Sequence, residues 1–341
     1  MDSLSVLIIA GALALVGFTI FTANGAASAG NPHQPRLHLL LRLLIALNAF
    51  YALNALTFAL TPGVSDTTAE MITVDPQGAF LYVVAALALS AVAWLFAQRD
   101  SWRIRFRTIL PTGTAYDPAS PVHTTAVVLA LVFVSVTVGQ FVLSGGASGL
   151  AANLESSGIS LEDVAFNQGL WLVMASLGIG IGLRRTAKAS ATRLGLAMPT
   201  LQGLGVGAIV GTGMVLVSFI FTIIWVMLVT PEQFAAQTAA AAQVSRAFDS
   251  IGLAFVLALM VACGEEIFFR GALHPIFGNL LTSLFFVILH TQYILSPATI
   301  PIFLTSLALG WVRRRYNTTA AISGHFFFNF IQLALATLGG G

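Results

Sequence analysis

The sequence predicts an all-α fold, a polytopic membrane helix bundle, and its composition and hydropathy support this class. Hydrophobic residues make up 57% of the chain and charged residues only 8%, whereas an average soluble domain carries about 25% charged residues. The mean hydropathy of +0.90 also indicates an integral membrane protein. In addition, the apolar residues form runs of the length that a transmembrane helix needs, roughly 17–25 residues.

About nine or ten such runs follow one another along the chain. The count is open because the ninth run is short and only the break at Ser296 and Pro297 separates it from the eighth. The first run is similar to a signal peptide but lacks a positive n-region, so we expect an uncleaved anchor. The predicted spans are 4–23, 37–61, 79–98, 123–145, 165–183, 201–229, 250–273, 279–296, 300–313 and 318–338.

The connections between the spans alternate in charge. The positive-inside rule places the basic connections in the cytoplasm and the N-terminus outside. We therefore expect a multi-pass protein of the plasma membrane, the inner membrane in a bacterium. The basic residues are Arg36, Arg42, Arg99, Arg103, Arg105, Arg107, Arg184, Arg185, Lys188, Arg193, Arg313, Arg314 and Arg315. The acidic residues are Asp66, Glu70, Asp75, Glu155, Glu162, Asp163, Glu232 and Asp249.

Charge and cysteine content exclude two other classes of protein. The net charge of +2 and the pI near 9.0 come from short loop clusters, so we expect the lipid bilayer and no nucleic acid as a partner. Cys263 is the one cysteine of the chain, which excludes an internal disulfide framework.

Ionisable residues are concentrated in the last third of the chain, within apolar runs. Such residues are expensive at membrane depth and usually mark a pathway, an ion pair or a reactive site. Here they occur on three neighbouring runs within 65 positions, which predicts a functional site. The residues are Glu265 and Glu266 with Arg270, His290 four positions after Phe286, and His325 four positions before Asn329.

The two adjacent glutamates are expected to have different tasks. Their side chains diverge by about 100° on a helix, and Arg270 shares a helix face with Glu266 four positions before it. We expect Glu266 and Arg270 to form a structural pair, which leaves Glu265 free to act as a base. The alternative is that both glutamates are the cytoplasmic end of a span.

The depths of the polar groups allow them to meet. Glu265, His290 and His325 lie about 12, 16 and 10 Å from the predicted cytoplasmic ends of their spans. A shared cavity that faces the cytoplasm is therefore expected. A glutamate and a histidine there could position and deprotonate a water molecule, while a second imidazole and the Asn329 amide could donate hydrogen bonds to an oxyanion. A zinc site made of Glu265, His290 and His325 stays open as an alternative.

Three motifs in this region resemble those of a known family. Glu265-Glu266-x-x-x-Arg270, Phe286-x-x-x-His290 and His325-x-x-x-Asn329 occur intact and in order. They are similar to the motifs of the CAAX-protease and bacteriocin-processing (CPBP/Abi) family of intramembrane proteases, the family of the Ras-converting CAAX endopeptidase. The resemblance covers 201–338 as a protease-like core and leaves 1–200 as N-terminal transmembrane helices of unassigned role.

The resemblance implies an intramembrane endopeptidase of the glutamate type, without a cofactor, although a metal-dependent form with zinc stays open. Its cavity would open to the cytoplasm and laterally to the bilayer. By that resemblance Glu265 activates water, His290 helps to hold it, and His325 with Asn329 stabilises the oxyanion. Glu266, Arg270 and Phe286 would support the site.

The resemblance also implies the kind of substrate, a membrane-associated protein or peptide of prenylated or leader type, cut near the cytoplasmic face. Two alternatives remain. One is a non-catalytic immunity or scaffold member of the same family. The other is a proton-coupled transporter, since carboxylates and histidines also build proton relays. The first six spans contain no further acidic helix, which argues against the transporter.

Overall fold

The computed structural model describes residues 3–60, 76–246, 250–291 and 296–339, and within these ranges the named elements are all helices. The predicted all-α fold class is therefore confirmed. The chain divides into two compact units, Met1–Leu110 with Asp117–Gly146 and Pro111–Tyr116 with Ala147–Gly341. The acidic residues of the connections 61–75 and 247–249, namely Asp66, Glu70, Asp75 and Asp249, lie outside the described residues.

The first unit is a group of long apolar helices and one short amphipathic helix. Three of its helices begin at a proline, whose restricted φ suits the first helical position. Small side chains allow close packing: Gly139 lies against the Tyr82 ring, and a Cβ there would be 2.4 Å from that ring. The helices are α1 (Ser3–Ser28), α2 (Pro35–Leu60), α3 (Pro76–Gln98), α4 (Asp100–Ile109) and α5 (Pro121–Leu143).

The second unit contains the polar motifs. Its first long helix is started by a capping box of Ser160 and Asp163 and is ended by Gly180 at φ 78°, as helix-capping preferences predict. The elements are α6 (Gly146–Ser157), which begins at the boundary, α7 (Leu161–Ile179), α8 (Ala187–Leu194), α9 (Leu201–Leu228), α10 (Pro231–Arg246), α11 (Ile251–Glu265), a π-helical segment (Glu266–Leu273), α12 (His274–Ile288), α13 (Thr299–Arg315) and α14 (Thr318–Leu338).

Seven stretches of the described chain are long and apolar enough to cross a membrane: α1, α2, α3, α5, α9, the run 251–288 and α14. Three differences account for the larger predicted number. The predicted spans 250–273 and 279–296 form one apolar run that is kinked at Gly278, where φ is 74°. In addition, α13 has only 17 residues and is too short. Helix α7 has 19 residues but is not apolar enough to be counted. Residues 292–295, at the end of the predicted eighth span, lie outside the described residues.

The packing of the second unit includes more of the chain than 201–338. Helices α7 and α8 precede residue 201, yet both contact the π-helical segment, and α7 also contacts α11. The predicted division into 1–200 and 201–338 concerned roles and stays a prediction. In packing terms, residues 147–200 belong with the motif-bearing helices.

Close contact between α9 and α14 sets the position of the third motif. A Cβ on Gly207 would lie 2.2 Å from the Ala320 carbonyl oxygen, and one on Gly211 would lie 2.0 Å from the Gly324 carbonyl oxygen. Glycine at these positions permits the contact, since small residues let membrane helices approach closely. The contact places His325, next to Gly324, in the interior of the unit.

Candidate active site

The structure brings the predicted polar residues to one end of a single cavity of about 610 Å³. Its lining includes Glu265 at the end of α11, His290 just after α12, and His325 and Asn329 on α14, together with Phe286. Glu266 and Arg270 do not line the cavity and lie behind it, almost fully buried. A volume of this size is typical of small-molecule and cofactor sites, roughly 300–1,000 Å³.

A change of helix type separates the two adjacent glutamates. Glu265 is the last residue of α11 and Glu266 the first of the π-helical segment. Short π-helical insertions are rare and frequently occur at functional sites. As predicted, one glutamate faces the cavity while the other pairs with Arg270, whose Nη1 donates to Glu266 Oε1 at 2.8 Å.

Arg270 is held on all sides although only 1% of its surface is exposed. Its Nη2 donates to the carbonyl oxygen of Ser306 at 3.1 Å and to its hydroxyl at 2.9 Å. Its guanidinium carbon lies 4.7 Å from the centre of the Phe286 ring, a cation–π distance. A buried charge needs such a set of partners, because an unpaired one is strongly destabilising.

Glu266 has a second contact that the sequence did not reveal. Its Oε1 also lies 2.8 Å from Nδ1 of His325. An ionised carboxylate only accepts hydrogen bonds, so Nδ1 of His325 carries the proton and Nε2 is the nitrogen on the cavity side. Glu266 therefore connects the buried arginine to the orientation and tautomer of His325, as such partners commonly do for histidine.

His290 is oriented in the same way by its own helix. Its Nδ1 lies 2.7 Å from the carbonyl oxygen of Phe286, which can only accept, so its Nε2 is also the free ring nitrogen. The Phe286 ring lies against the imidazole of His290, with 4.2 Å between ring centres, and 6.0 Å from that of His325. Phe286 thus positions both histidines and Arg270.

Both free nitrogens point at the carboxylate of Glu265. Nε2 of His290 lies 3.8 Å and Nε2 of His325 lies 3.9 Å from Glu265 Oε2. These separations are too long for direct hydrogen bonds and suit a bridging water molecule. Within the described residues Glu265 Oε2 is buried without a hydrogen-bond partner. The arrangement can hold one small polar molecule between a carboxylate and two imidazoles.

The same geometry tests the zinc alternative. Among the residues that the structure describes, no group of three or more His, Cys, Asp or Glu side chains has the arrangement of a metal site. Glu265, His290 and His325 therefore do not form such a group in this arrangement, and no chemical step is assigned to a metal. Dependence on zinc stays a prediction for experiment.

One cavity residue was missed by the sequence reasoning. Gln168 of α7 is only 5% exposed and lines the cavity with Glu265. Its amide packs so closely on Gly264 that a Cβ there would lie 2.3 Å from Gln168 Oε1. The signal in the sequence was a polar residue within the apolar run 165–183.

Comparison with known proteins supports the resemblance. Residues 247–331 match the family model described as type II CAAX prenyl endopeptidase Rce1-like. The matched segment includes all three motifs, and it covers 85 of the 341 residues. No curated protein and no solved structure matches the chain significantly. The predicted family resemblance is confirmed for this segment.

Proposed function

We propose, from the Rce1-like domain at residues 247–331, that this protein is an intramembrane endopeptidase. The family model and the seven apolar stretches support a multi-pass membrane protein with a domain of protease type. The observation that carries the proposal is the convergence of two imidazole nitrogens on one carboxylate oxygen, at 3.8 and 3.9 Å.

In the proposed mechanism a water molecule lies between Glu265 and His290. It donates one hydrogen bond to Glu265 Oε2 and the other to His290 Nε2, both of which accept. Glu265 removes a proton as the water oxygen attacks the carbonyl carbon of the scissile peptide bond. The attack forms a tetrahedral carbon and moves charge onto the carbonyl oxygen.

The developing oxyanion would be stabilised from α14. The Asn329 amide donates one hydrogen bond, and His325 donates another from Nε2 when its ring is protonated. Glu266 stabilises that imidazolium, since its carboxylate already accepts from Nδ1 at 2.8 Å. Glu265 then passes its proton to the peptide nitrogen, the carbon–nitrogen bond breaks, and Glu265 is ionised again.

We propose as substrate a membrane-associated polypeptide of leader or prenylated type. The apolar lining of the cavity favours an extended apolar segment, through residues such as Leu257, Val261 and Phe328. Glu265 is the last residue of α11. Arg193 and Arg313 donate hydrogen bonds to backbone carbonyl oxygens of the π-helical segment that follows it. By the positive-inside rule the bond is therefore cut at the level of the cytoplasmic half of the membrane.

The test compares Glu265→Gln with wild type on a susceptible membrane-associated peptide. Glu265→Gln removes the base and keeps the shape, so cleavage should fall by about 10²-fold or more while expression and folding stay unchanged. Glu155→Gln is the matched control, because Glu155 is exposed on α6, and it should cleave at the wild-type rate. Wild-type turnover by Glu265→Gln would refute the proposal.

Quantitative membrane proteomics would identify the natural substrate. Cells that carry Glu265→Gln should accumulate uncleaved precursors that cells with wild type or Glu155→Gln do not. A transporter or a non-catalytic immunity factor predicts no such precursors, and an immunity factor would keep its effect in the double variant Glu265→Ala/His325→Ala.

A further inference from the structure

The cavity extends from the polar residues toward one end of the second unit only. Along α11 its lining runs from Glu265 back to Leu257, and along α14 it runs from His325 on to Leu333. Eight positions of helix correspond to about 12 Å in each case. Residues of α6, of the N-terminal half of α7 and of α10 complete the lining at that end: Leu150, Leu154, Asp163, Asn167, Phe234 and Thr238.

The opposite end is closed by buried polar groups and backbone contacts. Behind Glu265, the side chains of Glu266 and Arg270 fill the space. Arg193 of α8 donates to the carbonyl oxygen of Gly271 at 2.9 Å, and Arg313 of α13 donates to that of Arg270 at 3.0 Å. None of these side chains lines the cavity, so within the described residues the cavity does not extend past Glu265 toward this end.

A further layer covers the closed end. Gly113, in the connecting segment 111–116, donates its backbone N–H to the carbonyl oxygen of Ile276 at 2.8 Å. A Cβ on Gly278 would lie 2.5 Å from the carbonyl oxygen of Pro111. The kink in α12 is therefore held directly against this segment.

The two ends also differ in charge. Apart from the buried pair of Glu266 and Arg270, the charged residues at the closed end of this unit are cationic, namely Arg184, Arg185, Lys188, Arg193, Arg313, Arg314 and Arg315. The cavity end carries Glu155, Glu162, Asp163 and Glu232, with Arg246 as the one basic residue in the elements there. Hydrogen bonds from Ser160 hold the pKa of Asp163 below its usual value, so this carboxyl is ionised at neutral pH.

The positive-inside rule assigns a side of the membrane to each end. Basic residues in short connections lie in the cytoplasm, whereas acidic residues contribute little. The closed end is therefore cytoplasmic and the cavity end faces the opposite side. This direction differs from the cytoplasm-facing cavity that the depths of the polar residues predict, because those depths do not report which end is closed.

We infer that the cavity receives its substrate from the non-cytoplasmic side of the membrane. The reaction itself rests on the proposed function. Entry from this side means that the substrate is a polypeptide anchored in or delivered to the outer leaflet. Its cleavable segment must enter extended for about 12 Å to reach Glu265. This narrows the proposed substrates to a leader-type or otherwise anchored polypeptide on that side, because a prenylated C-terminus that is confined to the cytoplasm would not reach the site.

Cysteine accessibility tests the direction of the cavity without requiring catalysis. In a Cys263→Ser background, single cysteines replace Asn167 at the cavity end, Val261 within the cavity and exposed Lys188 at the closed end. A small membrane-impermeant thiosulfonate should modify the first two in right-side-out vesicles and lose that reaction in inside-out vesicles. Lys188→Cys, the matched control, should show the reverse.

Two results would overturn the inference. One is modification of Asn167→Cys from the cytoplasmic side. The other is failure of Val261→Cys to react from the outside, provided that Leu333→Cys, a second lining position, fails as well. Using two positions separates a closed cavity from a single misfolded variant.

A second arm measures cleavage from each side. An anchored reporter peptide is added to the outside of right-side-out or inside-out vesicles that contain wild type or Glu265→Gln. Cleavage by wild type in right-side-out vesicles alone supports the inference, and cleavage in inside-out vesicles alone overturns it while the peptidase stands. Outward labelling without cleavage in either orientation supports the access route and contradicts the peptidase.

Discussion

The buried ion pair of Glu266 and Arg270 allows stability and catalysis to be tested separately. Arg270→Met keeps much of the side-chain volume but leaves the Glu266 carboxylate buried without its cation. Arg270 is 1% exposed and Glu266 is 0% exposed, so little solvent screening reduces the effect. Removing one partner of such a pair costs about 3–5 kcal/mol.

The double variant Glu266→Leu/Arg270→Met removes both charges. Replacement of a buried pair by apolar residues of similar volume is often neutral or stabilising, so we expect the double variant to recover most of the stability that Arg270→Met loses. Cleavage should not recover, because His325 Nδ1 loses its acceptor at 2.8 Å and no longer has a fixed orientation.

The change in stability is measured as the free energy of unfolding in mixed micelles. The change in activity is measured as cleavage of a membrane-associated peptide. Arg315→Met is the control, since Arg315 is exposed and its loss should change stability by about 0.5 kcal/mol or less. A double variant as unstable as Arg270→Met would refute the unpaired-charge explanation. A double variant that cleaves like wild type would refute the orienting role of Glu266.

Two further outcomes are expected. Gly211→Ala should destabilise the protein by about 1–3 kcal/mol, because its Cβ would lie 2.0 Å from the Gly324 carbonyl oxygen; Gly205→Ala, on the same helix with open space around it, should be neutral or stabilising. Equal effects of the two substitutions would contradict the close contact of α9 with α14. Purified protein should contain no stoichiometric zinc by elemental analysis and should cleave at an unchanged rate in EDTA. Loss in EDTA with recovery in zinc would replace the glutamate mechanism by a metal-dependent one.

Much of the candidate site could be located from the sequence, because polar groups are rare in apolar runs and therefore conspicuous. The pair of Glu266 and Arg270 followed from a spacing of four residues, which is a local property of a helix. The contact of Glu266 with His325 joins residues 59 positions apart, and no periodicity reports such a contact. Gln168 was detectable as a polar residue in an apolar run, but its contact with Gly264 depends on the packing of α7 against α11.

The all-α membrane class, most of the helices and the chemical groups at the site were predictable from the sequence. These follow from hydropathy and from local helix geometry, which are properties of short stretches of chain. The folded arrangement was needed to establish which nitrogen of each histidine faces Glu265 and at which end the cavity is closed. Those features depend on contacts of α8, α13 and the segment 111–116 with the helices that carry the motifs, and such contacts form only when distant parts of the chain pack together.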